Sequence, residues 1–378
     1  MDFALDKKHE MARTLFREFA ENEVKPFAQE TDETEVFPRA IVDKMAKYGF
    51  LGIPVPKEYG GQGCDPLTYA MCVEELAKVC GTTAVIVSAH TSLCIDPIMT
   101  YGTEEQKKKY VPDLASGKKL GAFGLTEPNA GSDAGGTETT AVLDNGEFVI
   151  NGSKVFITNA SYAKHLALTA ITKRDGNKKE ISAIIVPTDA KGFTIKSEYE
   201  KMGLNASNTT ELILENVQVP EENLLGVRGN GFKQFLTTLD GGRIGIAAMA
   251  VGIAQGALNK AVQYAKERKQ FGKALAEFQA TQFKLADMEV KIQLARTFVY
   301  KAAWLKDQGR PFGKEAAIAK YYASEMAMEV CDEAIQIHGG YGYMKEYEVE
   351  RFLRDAKLLE IGEGTSEVQK MVIARHIL

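Results

Sequence analysis

Gly226-Val227-Arg228-Gly229-Asn230-Gly231 separates two kinds of sequence in this chain. Before it, from about residue 121, short apolar runs alternate with turn signals such as Asp144-Asn145-Gly146, a pattern typical of strands joined by hairpins. After it, apolar residues recur at helical spacing, which predicts long helices over 232–266, 279–308 and 313–338. The glycine-rich segment therefore marks a change from β structure to a helical bundle.

The first 120 residues also have helical periodicity, and a chain of 378 residues is too long for one ordinary core. We therefore predict an α+β multidomain protein. An N-terminal α-helical domain occupies residues 1–120, a middle antiparallel β-sheet or β-barrel domain 121–228, and a C-terminal four-helix-bundle domain 229–378. Within the middle domain, Asn151-Gly152 is predicted to be a further turn between strands, and Asp175-Gly176-Asn177 the turn of a hairpin.

The composition argues against several classes of protein. Apolar residues make up 45% of the chain and charged residues 26%, as in soluble globular proteins, and a net charge of -5 provides no basic surface for nucleic acid. The longest apolar stretch, 244–254, is too short to span a bilayer, so we predict no membrane span.

The five cysteines form no CxxC pair and the five histidines have no metal-ligand spacing, so we expect reduced thiols and no metal. The acidic first residues show no secretory or import pattern, which favours a cytoplasmic protein.

Glu363 is the first candidate for a chemical role. It lies between two glycines in the run 360–367, and Ser366 followed by Gln369 is typical of a capping box that opens a helix. Glycines let a ligand approach the backbone closely, and a carboxylate held at such a place can act as a positioned base. The alternative is that Glu363 only complements the dipole of the helix behind it.

A second candidate site is the segment 123–133, Phe-Gly-Leu-Thr-Glu-Pro-Asn-Ala-Gly-Ser-Asp, at the start of the strand-rich part. Its backbone N–H groups, small hydroxyls and glycines suit a polar, planar ligand. Composition alone equally fits a turn between two domains.

Taken together, these segments resemble the acyl-CoA dehydrogenases, and the resemblance covers essentially the whole chain. It is closest to short-chain members of the butyryl-CoA type. Several blocks in family order carry it: 125–133, 154–159, 239–243, 267–273, 336–342, 354–357 and 363–366. Any one block would be weak evidence, whereas their common order makes chance similarity improbable.

The resemblance implies FAD as cofactor and a short-chain acyl-CoA thioester as substrate, straight or branched. Glu363 would remove the α-proton while a hydride passes from Cβ to flavin N5, giving a trans-2-enoyl-CoA. The Glu363 N–H and a ribityl hydroxyl would stabilise the thioester oxygen. Electrons would pass to an electron transfer flavoprotein, in fatty acid β-oxidation or branched-chain amino acid breakdown. Some relatives carry the base at the position of Gly242, which has no side chain to act as one.

The resemblance also assigns roles to further residues. Cofactor-binding positions in this chain are Phe123, Leu125, Thr126, Ser132, Phe156, Thr158, Arg268, Gln279, Gln336, Gly339, Gly340, Thr365 and Ser366. Substrate-binding positions are Ser132, Asp240, Arg243 and Gly364. Because the group from Arg268 to Gly340 resembles residues that reach the dinucleotide of a neighbouring subunit, we expect a homotetramer built as a dimer of dimers. Read without the resemblance, Phe156 in a strand is a core residue, and Asp240 and Arg243 simply pair with each other.

Gly362 departs from the short-chain pattern, in which a tyrosine usually precedes the base. Its absence leaves space beside Cα and Cβ, so we expect tolerance of branched acyl groups. Ala84 stands where glutaryl-CoA enzymes have an arginine, which argues against decarboxylation. Two other functions remain open: an acyl-CoA oxidase, which usually has an additional C-terminal domain, and a non-catalytic helical assembly protein that retains the scaffold. A flavin monooxygenase would normally not keep a glutamate at 363.

Overall fold

The computed structural model describes residues 5–176 and 178–378. Its first helices are α1 (Lys7–Phe19), α2 (Ala28–Thr34), α3 (Arg39–Lys47), α4 (Pro66–Ala77), α5 (Gly81–Ser88), α6 (Asp96–Tyr101) and α7 (Glu104–Ala115). Their starts follow local signals: the Asp65 side chain accepts a hydrogen bond from the Thr68 N–H at α4, and Thr103 and Gln106 form a capping box at α7. A π-helical stretch, Ala89–Ile95, joins α5 to α6.

The middle of the chain forms one mixed sheet. Its strands are β1 (Leu120–Gly124), β2 (Thr140–Asp144), β3 (Glu147–Thr158), β4 (Ala163–Asp175), β5 (Lys178–Pro187), β6 (Phe193–Glu198), β7 (Thr209–Pro220) and β8 (Leu224–Leu225). The hydrogen-bonded order is β6-β7-β3-β2-β4-β5-β8, with β1 beside β4. Hairpin neighbours are antiparallel, as predicted. The sheet is not purely antiparallel, however, because β1 and β2 both run parallel to β4, and β1 was not predicted from periodicity.

The predicted turn at Asn151-Gly152 is instead an irregularity inside β3. The strand continues from Glu147 to Thr158, and its register on β7 shifts between Ile150 and Gly152. Gly152 has a φ of 151°, and a Cβ there would lie 2.7 Å from the Thr139 Cα, so only glycine fits. The predicted hairpin between β4 and β5 is present, although Asn177 in its turn lies outside the described residues.

Helices fill the rest of the chain, as predicted. They are α8 (Gly231–Glu267), α9 (Gln279–Asp307), α10 (Gly313–His338), α11 (Val349–Leu359) and α12 (Ser366–Arg375), with a small hairpin of β9 (Lys269–Gln270) and β10 (Lys273–Ala274) after α8. The central helix is α8, which packs on α4, α9 and α10. It approaches α4 closely, since a Cβ at Gly252 would lie 2.3 Å from the Glu74 carbonyl oxygen. The predicted fold class, helices then a sheet then helices, is confirmed.

Two helical stretches are long and apolar enough to cross a membrane by length and composition alone. They are Gly81–Tyr101 and Gly231–Glu267. In their most apolar windows, 89% and 94% of the residues are buried inside the protein. Both stretches therefore pack as core helices in this fold.

Candidate active site

Glu363 lies in the turn between α11 and α12, and we call residues 360–365 the Glu363 turn. Glu363 has a φ of 54° and Gly364 a φ of 94°, both in the left-handed region. A non-glycine residue there costs of order 1 kcal/mol and persists only where its surroundings hold it. The Gln369 side-chain amide holds it from one side, donating to the carbonyl oxygens of Glu363 (3.2 Å) and Gly364 (2.8 Å). From the other side, the Lys320 ammonium donates to the Gly364 oxygen at 2.6 Å.

The helix cap behind this turn differs from the predicted one. Thr365, not Ser366, is the N-cap of α12, and its hydroxyl accepts from the Val368 N–H. The Ser366 Oγ is buried and has no hydrogen-bond partner among the described residues. Gln369, predicted as the other half of a capping box, reaches back to the Glu363 turn instead.

The Glu363 carboxylate points into the protein against α8. Its Oε2 is buried and, among the described residues, has no hydrogen-bond partner. A Cβ built on Gly242 would lie 2.0 Å from that oxygen and 2.9 Å from Leu93 Cδ2. Glycine at 242 therefore leaves the space that the carboxylate occupies.

Burial sets the protonation behaviour of this carboxylate. Removal from water raises the pKa of Glu363 from 4.5 to about 7, and the charges of Lys320 and Arg243 oppose the rise. Arg243 is itself buried on α8 and forms a salt bridge of 2.5 Å with Asp240, which is the pairing expected for two charges three residues apart on a helix. The Arg243 Nε has no partner among the described residues, so one donor remains available for a ligand.

On the sheet side, Phe156 is exposed rather than in the core. Its side chain is 65% exposed, its φ is 59°, and the register of β3 on β7 shifts between Lys154 and Ile157. The reading of Phe156 as an ordinary core residue is therefore wrong. The Phe156 ring lies beside the Tyr199 ring, with the two ring centroids 5.3 Å apart. A large exposed aromatic ring at a strained bulge is typical of a surface that contacts a ligand.

An apolar cluster joins the sheet side to the Glu363 side. Phe123 stacks on Phe235 of α8 with ring centroids 4.3 Å apart. Leu125 belongs to the same cluster as Leu93, the residue that lies beside Gly242. Of the remaining residues predicted on this side, Ser132 is exposed and Thr126 and Thr158 are partly exposed.

Sequence reasoning missed a buried ion pair that holds the segment around Thr126. Lys154 is fully buried, and its ammonium donates to Glu127 Oε1 at 2.7 Å and to the Leu125 carbonyl oxygen at 3.2 Å. The Glu127 carboxylate also accepts from the backbone N–H groups of Glu138 and Thr139. The sequence offered one signal, since Glu127 and Lys154 lie in two neighbouring blocks of the family resemblance. Their pairing across the sheet cannot be predicted from that signal.

We expect Lys154→Met to lower the free energy of unfolding by about 3 kcal/mol, because it leaves the buried Glu127 without its charge partner. The pKa of Glu127 is lowered from 4.5 to about 2, mainly by Lys154 against the cost of burial. A lowered carboxylate pKa means that the pair stabilises the fold fully above pH 4.5 and less as the pH falls towards 2. Thermal melting at several pH values should show a gap between wild type and variant that narrows in acid. Lys173→Met, at an exposed position of β4, is the control, and equal melting of the two variants would contradict the prediction.

A third group of predicted residues lies on the surface beyond the end of α8. The Arg268 guanidinium sits over the Tyr341 ring at 5.4 Å, which brings it onto the turn 339–343. Gln279, Gln336, Gly339 and Gly340 are exposed. A Cβ at Gly339 or Gly340 would meet nothing within 4 Å, so this surface is open to an approaching ligand or chain.

These features fit the dinucleotide flavin that the resemblance implies. Phe156 offers an exposed aromatic face, Ser366 a buried unpaired hydroxyl at a helix start, and the surface at 339–340 an open backbone. Within the two described ranges, no three His, Cys, Asp or Glu side chains converge as metal ligands would.

Comparison with known proteins agrees with this geometry. Family models described as the N-terminal, middle and C-terminal domains of acyl-CoA dehydrogenase match residues 6–118, 122–217 and 229–378. A short-chain-specific acyl-CoA dehydrogenase of Clostridium acetobutylicum is 56% identical, with 100% of each chain covered. The solved butyryl-CoA dehydrogenase of Megasphaera elsdenii is 46% identical with a TM-score of 0.98, again over 100% of both chains. A chain solved in work on the electron transferring flavoprotein of Acidaminococcus fermentans is 49% identical, also with a TM-score of 0.98 and 100% of both chains covered.

The three consecutive family models and the relatives that match over their full length all indicate the same family. This chain belongs to the acyl-CoA dehydrogenase family, and it is an FAD-dependent oxidoreductase.

Proposed function

We propose that this protein dehydrogenates short-chain acyl-CoA thioesters to trans-2-enoyl-CoA, with Glu363 as the base. The observation that carries the proposal is the Glu363 carboxylate: its Oε2 is buried and lacks a hydrogen-bond partner among the described residues, and its pKa is raised to about 7. A base is most effective when its pKa lies near the working pH, since it must both accept and later release a proton. The short-chain-specific and butyryl-CoA relatives support the choice of acyl group.

In the proposed reaction, Glu363 takes the α-proton and the C–H electron pair becomes the new double bond as hydride leaves Cβ. When bound, FAD supplies the acceptor of that hydride. The Glu363 N–H, presented by the left-handed turn, stabilises the negative charge that develops on the thioester oxygen. The burial of Oε2 keeps water from competing for the proton.

We assign substrate contacts to the residues around this carboxylate. Arg243 is held by Asp240 and keeps one buried N–H donor free of any partner among the described residues, which suits a polar group of the thioester. Gly364 lets the acyl chain pass close to the backbone, and Ser132 is exposed in the segment between β1 and β2 for the coenzyme A moiety.

For the cofactor, we assign the flavin ring to the sheet side and the rest of the dinucleotide to helix ends. The ring contacts are Phe123, Leu125, Thr126, Phe156 and Thr158. Thr365 and Ser366 at the start of α12 suit ribityl or phosphate oxygens. Ser132 lies close in sequence to the ring contacts and is shared between cofactor and substrate.

The exposed group at Arg268, Gln279, Gln336, Gly339 and Gly340 serves the cofactor of a second subunit in this proposal. Large apolar side chains lie exposed beside it, with Phe271 95% and Tyr343 82% exposed. Exposed apolar surface of this kind is typical of a protein interface. We therefore propose a homotetramer in the cytoplasm, with electrons passing to an electron transfer flavoprotein, which the similarity to the Acidaminococcus fermentans chain supports.

The test is anaerobic mixing of the yellow holoenzyme with a panel of straight and branched short-chain acyl-CoAs. Bleaching of the flavin with release of the enoyl-CoA is the expected result. A preparation that binds FAD but is not bleached by any member of the panel would exclude the proposed reaction.

We also expect Gly362→Tyr to lower the activity ratio of isobutyryl-CoA to butyryl-CoA by about 10-fold, the size of a modest steric exclusion. A Cβ at Gly362 fits, since its nearest neighbours are atoms of Leu358 at 3.5–3.9 Å, and the added ring would then fill space beside the substrate. Initial rates with the two substrates measure the ratio. Gly362→Ala is the control, because it adds only a methyl group; an unchanged ratio in Gly362→Tyr would refute the role of this glycine.

A further inference from the structure

Lys320 is a buried lysine that neither the sequence blocks nor the proposed reaction accounts for. It lies on α10, is 0% exposed, and its ammonium donates to the Gly364 carbonyl oxygen at 2.6 Å. It forms no salt bridge with any carboxylate among the described residues, in contrast to the buried Lys154. An ammonium buried without a carboxylate partner is costly, so a specific reason for keeping it is expected.

The place of the ammonium supplies that reason. The Gly364 carbonyl follows directly on Glu363, at the point where two consecutive residues have left-handed backbones. Lys320 and Gln369 approach this carbonyl from α10 and α12, so the Glu363 turn is fixed between two helices.

We propose that Lys320 is a positioning residue for the base: it fixes the Glu363 turn through the Gly364 carbonyl and holds a positive charge behind the carboxylate, which keeps the proton-accepting form populated. This inference rests on the proposed role of Glu363 and extends it to a residue of a different helix. Lys320 does not touch the substrate in this proposal and acts only through the turn.

The charged groups around Glu363 support the assignment. On α8, the charge of Arg243 is largely offset by its salt bridge with Asp240. Tyr69 on α4 is neutral, because burial keeps the pKa of its hydroxyl above the usual range.

Glu360, the first residue of the Glu363 turn, and Glu367, just after it, favour the charged form of Lys320. Of the two cations that act on Glu363, Lys320 is therefore the one whose charge is not offset by a salt bridge. Its influence on the pKa of Glu363 exceeds that of Arg243.

The direction of the pH effect follows from these charges. Burial raises the pKa of Glu363 to about 7, and Lys320 limits that rise. Burial also lowers the pKa of Lys320 to about 8, with Glu363 opposing, so most of the ammonium is charged at the midpoint of the Glu363 titration. Without that charge, Glu363 should bind its proton up to a higher pH.

The experiment compares Lys320→Met, Lys320→Gln and Lys320→Arg holoenzymes. The acid limb of the flavin-reduction rate with butyryl-CoA should move to higher pH by about one unit in Lys320→Met and in Lys320→Gln, the usual effect of losing a nearby opposite charge. Lys320→Arg, which keeps the charge and a donor, should restore most of the wild-type profile. Lys314→Met removes a lysine of the same helix that does not bear on the pKa of Glu363, and its profile should be that of wild type.

A second readout does not depend on turnover. Infrared titration of the oxidised holoenzyme follows the band of the protonated carboxyl, assigned to Glu363 by its absence in Glu363→Gln. The midpoint of this band should rise in the two uncharged variants and not in Lys314→Met. If Lys320→Met fails to fold, Lys320→Gln, which keeps a donor for the Gly364 carbonyl, still tests the charge.

The outcomes separate this inference from the proposed function. Unchanged infrared midpoints and rate profiles in folded Lys320→Gln would overturn the role of Lys320 while leaving Glu363 as the base. Full activity in Glu363→Gln would overturn the base itself, whatever Lys320 does. An equal loss of rate at every pH in all three Lys320 variants, with no shift, would reduce Lys320 to a structural anchor and contradict the proposal.

Discussion

Glu363→Gln is expected to slow reduction of the bound flavin by butyryl-CoA by about 10³-fold, within the range usual for loss of a general base. Glutamine has almost the same shape as glutamate, so it fits the space against Gly242 and Leu93. It cannot accept the α-proton, because an amide is not a base near neutral pH. Rapid mixing under anaerobic conditions measures the rate directly.

The control for this variant is Glu360→Gln, in the same turn. The Glu360 carboxylate is paired with Lys357 at 2.5 Å and is not the group that points against α8. Its loss should change the rate far less than the loss of Glu363, because Glu360 affects the base only through the charge of Lys320. Both variants should bind FAD and butyryl-CoA with near wild-type affinity, since neither removes a residue assigned to binding through its side chain. Comparable reduction rates for Glu363→Gln and Glu360→Gln would rule out Glu363 as the base.

Gly242→Ala is expected to have the second-largest effect, a fall of about 10² in the flavin-reduction rate, which is typical of a reacting group displaced by about 1 Å. The added methyl carbon would lie 2.0 Å from Glu363 Oε2 and 2.9 Å from Leu93 Cδ2, so the carboxylate must move. The fold should tolerate the change, because alanine is the best helix former and α8 is continuous at this position. Flavin reduction and thermal melting should therefore separate: the rate falls while the melting temperature changes little.

Gly241→Ala is the matched control, one residue away on the same helix. A Cβ at Gly241 would meet the Lys306 ammonium at 2.8 Å, and this is the far end of a flexible side chain that can move away. The control should keep a rate within about 3-fold of wild type, because a flexible neighbour can make room for the added methyl group without displacing Glu363. Equal losses in the two alanine variants would mean that the effect at 242 is not steric contact with Glu363.

Local sequence signals predicted the secondary structure well where the signal is strong and periodic. The helices α8, α9 and α10 agree with prediction to within one or two residues at each end. Prediction failed where a tertiary contact decides the backbone. At Gly152, a signal that usually means a turn became an irregularity inside β3, because β3 continues along β7 on both sides of it. At Thr365, the cap moved by one residue, because Gln369 is drawn to the Glu363 turn.

The order of helices and strands could be predicted from local sequence, and so could the residues able to do chemistry, including Glu363 and the hydroxyls at the start of α12. These properties depend on neighbours within a few positions, through periodicity, turn residues and side-chain type. Three features became visible once the chain was folded: Glu363 Oε2 is buried against Gly242, Phe156 is exposed, and Lys320 donates to the carbonyl that follows the base. Burial and charge pairing depend on residues far apart in the chain, since they arise only when α8, α10 and the turn between α11 and α12 pack together.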